Sequence, residues 1–108
     1  MKLILPSPVQ KLESNFLSNH KIELWIKRDD LIHSTISGNK WRKLKYNLIK
    51  ANEKKQDTIL TFGGAYSNHI LATAAACHLN GLKSIGIIRG EELSTLNETL
   101  SEVKKLGM

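Results

Sequence analysis

The second half of the chain alternates between strand-like and helix-like segments, and this alternation restricts the fold more than any other feature. Residues 57–62 and 83–89 are short apolar runs rich in β-branched residues, as in buried parallel strands. Between them, a segment that is apolar nearly all round starts at Ser67 or Asn68 and ends near Leu79, which predicts a buried helix. Strand and helix in alternation predict βαβ units around an open parallel sheet, in an α/β fold of three layers.

Two amphipathic helices are predicted on either side of this unit. The first begins near Lys40 and fades near Lys54. The second begins between Thr95 and Asn97, where Thr95 and Glu98 suit a capping box. Its apolar stripe consists of Leu93, Leu96, Leu100, Val103 and Leu106. The chain stops where the next strand would begin, so we expect it to be part of a longer protein.

The N-terminal part has a different pattern. Pro6 and Pro8 exclude a helix and favour an extended arm. Residues 9–20 fit either a short helix or an ordered loop. In residues 21–27, apolar and polar side chains alternate, which predicts a half-buried strand.

Composition and charge limit the function only broadly. The 108 residues include 16 lysines and arginines against 10 acidic residues, a net charge of +6 that permits binding of anions or nucleic acid without requiring it. The single cysteine, Cys77, excludes an internal disulfide and fits a reducing compartment. No apolar run approaches the roughly 20 residues that span a bilayer. We therefore expect a cytoplasmic protein with no membrane partner, and we expect no metal site because the histidines lack ligand spacing.

Residues 37–46 hold the first candidate for chemistry. Ser37 and Gly38 make a permissive turn, Asn39 is suited to cap a helix, and Lys40 follows in the first helical turn. A lysine fixed in this way and shielded from water can act as a nucleophile toward a carbonyl carbon. An ordinary surface lysine on a lysine-rich helix is the other interpretation of this stretch.

The second candidate is the glycine-rich loop at residues 61–69. In an open parallel sheet, ligands bind beyond the carboxyl ends of the strands, and this loop lies at such an end. Gly63 and Gly64 let the backbone approach a ligand, and the next helix offers N–H groups to a phosphate or a carboxylate. Ser67 and Asn68 add a hydroxyl and an amide. A glycine turn followed by an ordinary helix cap explains the same residues.

Three motifs together resemble one enzyme family. They are Lys-Arg-Asp-Asp-Leu at 27–31, Ser-Gly-Asn-Lys at 37–40 followed by Arg42, Lys43 and Tyr46, and Gly-Gly-x-x-Ser-Asn-His at 63–69. In this order and spacing, the sequence resembles the N-terminal part of the 1-aminocyclopropane-1-carboxylate deaminase and D-cysteine desulfhydrase family. These are pyridoxal-phosphate enzymes of the tryptophan-synthase-β-like fold, also called fold type II. The resemblance covers nearly all of this chain.

The resemblance implies a role for each matching residue. Lys40 corresponds to the lysine that binds pyridoxal 5′-phosphate covalently and then serves as base or acid at the substrate carbon. Asn68 corresponds to the residue that hydrogen-bonds the ring hydroxyl of the cofactor. Ser67 and the amides from Gly64 to Asn68 correspond to the pocket for the substrate carboxylate, where Ser67 also assists proton transfer. Lys43 would add positive charge towards the cofactor phosphate.

Two neighbours of these residues leave questions open. His69 adjoins the site, where contact with substrate and a purely structural role are both possible. Tyr66 departs from the family, in which glutamine usually precedes Ser-Asn. This difference changes the carboxylate pocket and leaves the substrate open between D-cysteine, 1-aminocyclopropane-1-carboxylate and another amino acid.

The resemblance also implies an architecture. Residues 1–39 would be an arm and strand packed against a larger domain, and residues 40–108 would start the small α/β domain. The remainder of the enzyme chain would supply the phosphate loop and the partner of the pyridine nitrogen. The whole enzyme would be a homodimer that releases ammonia and a 2-oxo acid from a small amino acid, and this part would be inactive alone. The alternative function is a basic module that binds phosphate or nucleic acid without catalysis.

Overall fold

The computed structural model describes residues 3–91 and 94–108, which form a small antiparallel strand pair followed by an α/β unit. In chain order the elements are β1 (Val9–Leu12), α1 (Asn15–Asn19), β2 (Leu24–Lys27), α2 (Asn39–Glu53), β3 (Thr58–Gly64), α3 (Asn68–Leu79), β4 (Lys83–Arg89) and α4 (Glu98–Lys105). A short 3₁₀ turn, Asp29–Leu31, lies between β2 and α2.

The parallel sheet predicted for the second half is present. β3 and β4 pair in parallel from Thr58, opposite Lys83, to Gly64, opposite Arg89, and α3 connects them. This arrangement confirms the α/β class and the βαβ unit. β4 has the predicted limits, whereas β3 continues past Phe62 because both glycines keep their places in the pairing with β4.

The core lies between the helices and one face of this sheet. α3 is buried nearly all round, as predicted, and contacts both strands, α2 and α4. On one side of α3, Ala72 and Ala76 pack with Leu44 of α2 and with Ile36 from the preceding loop. On its other side, Ile70 and Ala74 pack with Val103 of α4.

The opposite face of the parallel sheet is open among the residues that the structure describes. Its four large side chains are between 47% and 64% exposed: Leu60, Phe62, Ile85 and Ile87. Leu60 stands opposite Ile85, and Phe62 opposite Ile87, so the four form one continuous apolar face. The described helices therefore cover the sheet on one side.

The N-terminal part differs from the prediction in two ways. Residues 9–20, which fitted a helix or a loop, contain both the short helix α1 and the strand β1. β1 pairs antiparallel with β2, from Val9 opposite Lys27 to Leu12 opposite Leu24. The strand predicted at 21–27 is present as β2, which starts later, at Leu24, and burial of one of its faces is not seen among the described residues. β2 is exposed along its whole length. Among the described residues it pairs only with β1, and no other layer covers either of its faces.

The shape of the chain is more open than that of a compact monomer. Its radius of gyration is 17.5 Å, whereas a compact domain of this length has about 13 Å. Its accessible surface is 7928 Å², against roughly 6,000 Å² expected for a compact protein of this mass. The open face of the parallel sheet and the exposed β1–β2 arm contribute to this excess.

Two helix starts correct the sequence predictions. Asn39 does not cap α2: the capping position is Gly38, and Asn39 is the first helical residue. α4 begins at Glu98 and is capped by Asn97, whose side chain accepts a hydrogen bond from the Leu100 N–H, so the predicted capping box with Thr95 is not formed. Leu93, the first member of the predicted stripe, lies outside the described residues.

Candidate active site

A cleft of about 420 Å³ brings together the two stretches singled out in the sequence. Lys40 and Asn39 line it from the start of α2, and Asn68 lines it from the start of α3. Hydroxyl groups of the loop before α2 complete it, from Ser34, Thr35 and Ser37. The cleft therefore offers an amine, two amides and several hydroxyls to one ligand.

Local backbone geometry places Lys40 in this cleft. Gly38 has φ 60° and ψ −137°, a conformation that a residue with a side chain rarely adopts, and it turns the chain into the first turn of α2. Lys40 is half-buried, and its Nζ donates to Asn39 Oδ1 at 2.9 Å. Asn39 thus contacts the lysine amine and does not cap the helix.

The turn between β3 and α3 is held by Ser67. Its N–H donates to the Gly64 carbonyl at 3.0 Å. Its Oγ accepts from the N–H groups of His69 at 3.2 Å and Ile70 at 3.4 Å, so it is the cap of α3. The Ser67 hydroxyl keeps its own proton for donation to a ligand, because both of these bonds use its lone pairs.

The two glycines of this turn have different surroundings. A methyl group at Gly63 would meet Ile70 Cγ1 at 2.6 Å and Ser67 Oγ at 3.0 Å, so Gly63 allows α3 to pack on β3. A methyl group at Gly64 would meet no atom within 4 Å. Gly64 therefore has open space beside its backbone, as a residue that is approached by a ligand requires.

Asn97 supports the same turn from the other end of the chain, although the sequence indicates it only as a helix start. Its Nδ2 donates to the Ala65 carbonyl at 2.9 Å while its Oδ1 accepts from the Leu100 N–H at 2.8 Å. One amide therefore caps α4 and fixes the loop that precedes Ser67. The asparagine before an amphipathic helix was visible in the sequence, but its contact with a loop far away in sequence was not.

This double contact leads to a prediction on stability. Asn97→Asp keeps the acceptor for Leu100 and loses the donor to Ala65, whereas Asn97→Ala loses both. We expect Asn97→Ala to lower the free energy of unfolding by about 1 kcal/mol or more, and Asn97→Asp to lower it less. Denaturant unfolding of both variants measures this order, and equal losses would contradict the role of Oδ1 as the cap.

His69 lies in a different cleft from Lys40. Its Nε2 and Thr61 Oγ1 are 3.0 Å apart, and both residues line a cleft of about 410 Å³ beside α2 and β3. Burial lowers the pKa of His69, and the positive charges of Lys40 and Lys43 lower it further. The lowered pKa of His69 favours its neutral form, and the Thr61 hydroxyl holds one of its ring nitrogens.

Of the residues proposed from the sequence, Lys40 and Asn68 share one cleft, and Ser67 and Gly64 form the turn beside Asn68. Lys43 is exposed and does not line this cleft.

No group of three metal-ligating side chains occurs within residues 3–91 and 94–108. In that same part of the chain, no helix is long and apolar enough to cross a membrane.

The donor set of the cleft fits a ligand with an aldehyde and a ring hydroxyl. Lys40 supplies a primary amine, the group that bonds covalently to an aldehyde carbon. Asn68 supplies an amide that can hydrogen-bond a ring hydroxyl. The start of α3 and the charges of Lys40 and Lys43 favour anionic groups at this end of the sheet.

Comparisons with known proteins identify relatives. The chain is 43% identical over 89 residues to the mitochondrial bifunctional D-cysteine desulfhydrase/1-aminocyclopropane-1-carboxylate deaminase of Arabidopsis thaliana, covering 82% of this chain and 22% of that protein. It is 38% identical over 97 residues to a putative 1-aminocyclopropane-1-carboxylate deaminase of Pyrococcus horikoshii, covering 90% of this chain and 30% of the relative. It is 32% identical over 103 residues to the D-cysteine desulfhydrase of Salmonella paratyphi B, covering 94% and 30%.

A comparison with solved structures finds a protein of the same kind. The crystal structure of an ACC deaminase homologue superposes with a TM-score of 0.79 at 35% identity, covering all of this chain and 32% of that one. No profile of a protein family matches the sequence. The chain spans between a fifth and a third of the length of these relatives, as the coverages of 22% and 32% show.

Proposed function

We propose that this chain, a relative of the N-terminal part of the 1-aminocyclopropane-1-carboxylate deaminases and D-cysteine desulfhydrases, carries the reactive lysine of a pyridoxal-phosphate-dependent lyase. The whole protein would act on a small amino acid and release ammonia and a 2-oxo acid. The observation that carries the proposal is the shared cleft of Lys40 and Asn68. Two motifs that lie far apart in the sequence meet there, with the groups that this cofactor requires.

Each residue has a task in this proposal. Lys40 would hold the cofactor through its Nζ, and its amine would accept or donate a proton at the substrate carbon. Asn68 hydrogen-bonds the ring hydroxyl. Pyridoxal phosphate, when bound, supplies an electron sink for charge that develops on the substrate carbon. Lys43 adds positive charge on the side of the phosphate.

The turn after β3 would bind the substrate. The backbone at Gly64 is open to solvent on one side, so a carboxylate can approach its amides closely. Ser67 can donate its hydroxyl proton to that carboxylate without giving up its role as the cap of α3. We propose D-cysteine and 1-aminocyclopropane-1-carboxylate as the substrates to test, because relatives are named for both.

The experiment uses the whole protein that contains this chain. Purified protein is scanned for visible cofactor absorbance, reduced with borohydride and digested, and the labelled peptide is located by mass spectrometry. Ammonia and 2-oxo acid are then measured with both candidate substrates and with L-cysteine as a control. We expect the label on Lys40 and product from at least one candidate. Absence of label, together with salt-sensitive binding to nucleic acid, would favour the alternative of a basic binding module.

Variants of Ser67 and Asn68 separate the two kinds of contact. Asn68→Ala is expected to shift the visible spectrum even without substrate, because its partner is the cofactor. Ser67→Ala should leave that spectrum nearly unchanged, raise KM or lower kcat, and cost about 1 kcal/mol of stability through loss of the α3 cap. Ser67→Thr, which keeps a hydroxyl cap, is the matched control. The reverse spectral pattern would mean that the loop is assigned one residue out of register.

A further inference from the structure

Asp29 makes an unusual set of contacts for a residue between a strand and a loop. Its carboxylate accepts from Ser7 Oγ at 2.6 Å and from Arg42 Nη2 at 2.8 Å on Oδ1, and from Arg42 Nε on Oδ2. Ser7 is 3% exposed and the Asp29 side chain 22% exposed, whereas the Arg42 side chain is 54% exposed, so water reaches the arrangement from the Arg42 side. The hydrogen bonds from Arg42 and Ser7 lower the pKa of Asp29 well below its ordinary range, which keeps it charged at neutral pH.

The backbone of Asp29 binds Gly38, which precedes Lys40 in the sequence, whereas its side chain binds Arg42, which follows Lys40. The Asp29 carbonyl oxygen accepts from the Gly38 N–H at 2.9 Å. Gly38 precedes α2 and Arg42 lies in its first turn, so Asp29 holds the chain two residues before and two residues after Lys40. The bond between Asp29 and Gly38 closes the intervening loop into a ring, and Ile36 within this loop is fully buried.

Hydrogen bonds to the His33 side chain also stabilise the conformation of this ring. The His33 Nδ1 accepts from the N–H groups of Thr35 at 3.1 Å and Ile36 at 3.2 Å. The loop that lines the cleft is thus bonded to its own side chain as well as to Asp29. Asp30, the acidic neighbour of Asp29, instead pairs with Arg28 and takes no part in the ring.

We propose that Asp29 is a positioning residue for Lys40, acting through Arg42 and the Gly38 amide. The inference rests on the proposed function, since it concerns the lysine that would hold the cofactor. A lysine has a long flexible side chain, so the placement of its Nζ depends on a fixed backbone. A displacement of about 1 Å at a reacting group can lower a rate by roughly 100-fold. An isolated ion pair at a surface contributes little to stability. The Asp29–Arg42 pair differs because the Asp29 carbonyl also accepts from the Gly38 N–H, which closes the loop between them.

The test compares Asp29→Asn with Asp30→Asn in the whole protein. Asparagine at position 29 keeps the shape and loses the charge that binds the Arg42 fork. We expect Asp29→Asn to lower kcat by about 10- to 100-fold, with a smaller change in KM, and to raise the hydrogen-exchange rate of the Gly38 amide about tenfold or more. Asp30→Asn removes a neighbouring exposed ion pair and should change neither quantity by more than about twofold.

Arg42 offers the conservative variant. Arg42→Lys keeps the charge but loses the two-pronged geometry, so its kcat and Gly38 exchange should fall between those of wild type and Arg42→Ala. If Asp29→Asn does not fold, Ser7→Ala and Arg42→Lys carry the test, because each removes one part of the ring. All measurements are made well below the melting temperature of each variant.

The outcomes separate this inference from the proposed function. A lower melting temperature for Asp29→Asn, with kcat and Gly38 exchange equal to those of Asp30→Asn, would overturn the positioning role. If borohydride leaves no label on Lys40 in the wild type, the proposed function fails. The exchange of the Gly38 amide then still decides whether Asp29 fixes the start of α2.

Discussion

Replacing Lys40 with arginine is expected to lower turnover by about 10³-fold or more, while the fold and the positive charge are kept. A guanidinium does not bond to an aldehyde carbon under these conditions, and it stays protonated, so it cannot serve as a base. Both tasks proposed for the Lys40 amine are therefore lost together. The measurement is product formation by the whole protein, with the visible spectrum recorded on the same samples.

Lys45→Arg is the matched control. Lys45 is exposed on the same helix, its Nζ lies 5.2 Å from the centroid of the Tyr46 ring, and it does not line the Lys40 cleft. We expect it to keep wild-type turnover and spectrum. Wild-type turnover in Lys40→Arg would contradict the assignment of the reactive lysine, whereas loss in both variants would indicate a general effect on the helix.

The α/β unit could be predicted from sequence because its signals are local. β-branched runs mark β3 and β4, and an apolar segment capped by Ser67 marks α3. The parallel pairing then follows from strand and helix in alternation. The limits of β4 agree for the same reason, since charged residues, Lys83 and Arg89, stand at both its ends.

The arm could not be predicted in the same way, because its structure depends on distant contacts. Residues 9–12 have no strong pattern and become a strand by pairing with β2. The alternation in residues 21–27 signals a strand correctly, but it cannot say whether another layer covers the apolar side. Among the described residues none does, and Ile22, Leu24 and Ile26 are between 40% and 49% exposed.

In the candidate site, too, the residues with local sequence signals could be predicted, and the contacts between distant residues could not. Lys40 and Asn68 were found through motifs, and the structure places them in one cleft. The contacts that hold them were not found. Asp29 was visible only as part of the motif at 27–31, and its bond to Arg42 joins two motifs that the sequence shows separately. Asn39 was assigned to the helix cap because asparagine favours that position. Gly38 takes it instead, since its positive φ makes the turn.

The largest effect on stability is expected at Gly63. In Gly63→Ala the new methyl group would stand 2.6 Å from Ile70 Cγ1 and 2.9 Å from Ile70 Cδ1, and Ile70 is fully buried. The core around Ile70 includes Ala74 and Val103, which leaves that side chain little room to move. We expect the free energy of unfolding to fall by about 1–3 kcal/mol, as for other overpacked cores. Denaturant unfolding measures it.

Gly64→Ala, one residue later, is the matched variant and should show the opposite pattern. Its methyl group would meet no atom within 4 Å, so the free energy of unfolding should change by no more than about 0.5 kcal/mol. The same methyl group would occupy the space proposed for the substrate carboxylate, and KM should rise while the cofactor spectrum stays unchanged. Equal stability losses in the two variants would contradict the packing role of Gly63. An unchanged KM in Gly64→Ala would remove Gly64 from the proposed substrate site, because a ligand that approaches this backbone must contact the added methyl group.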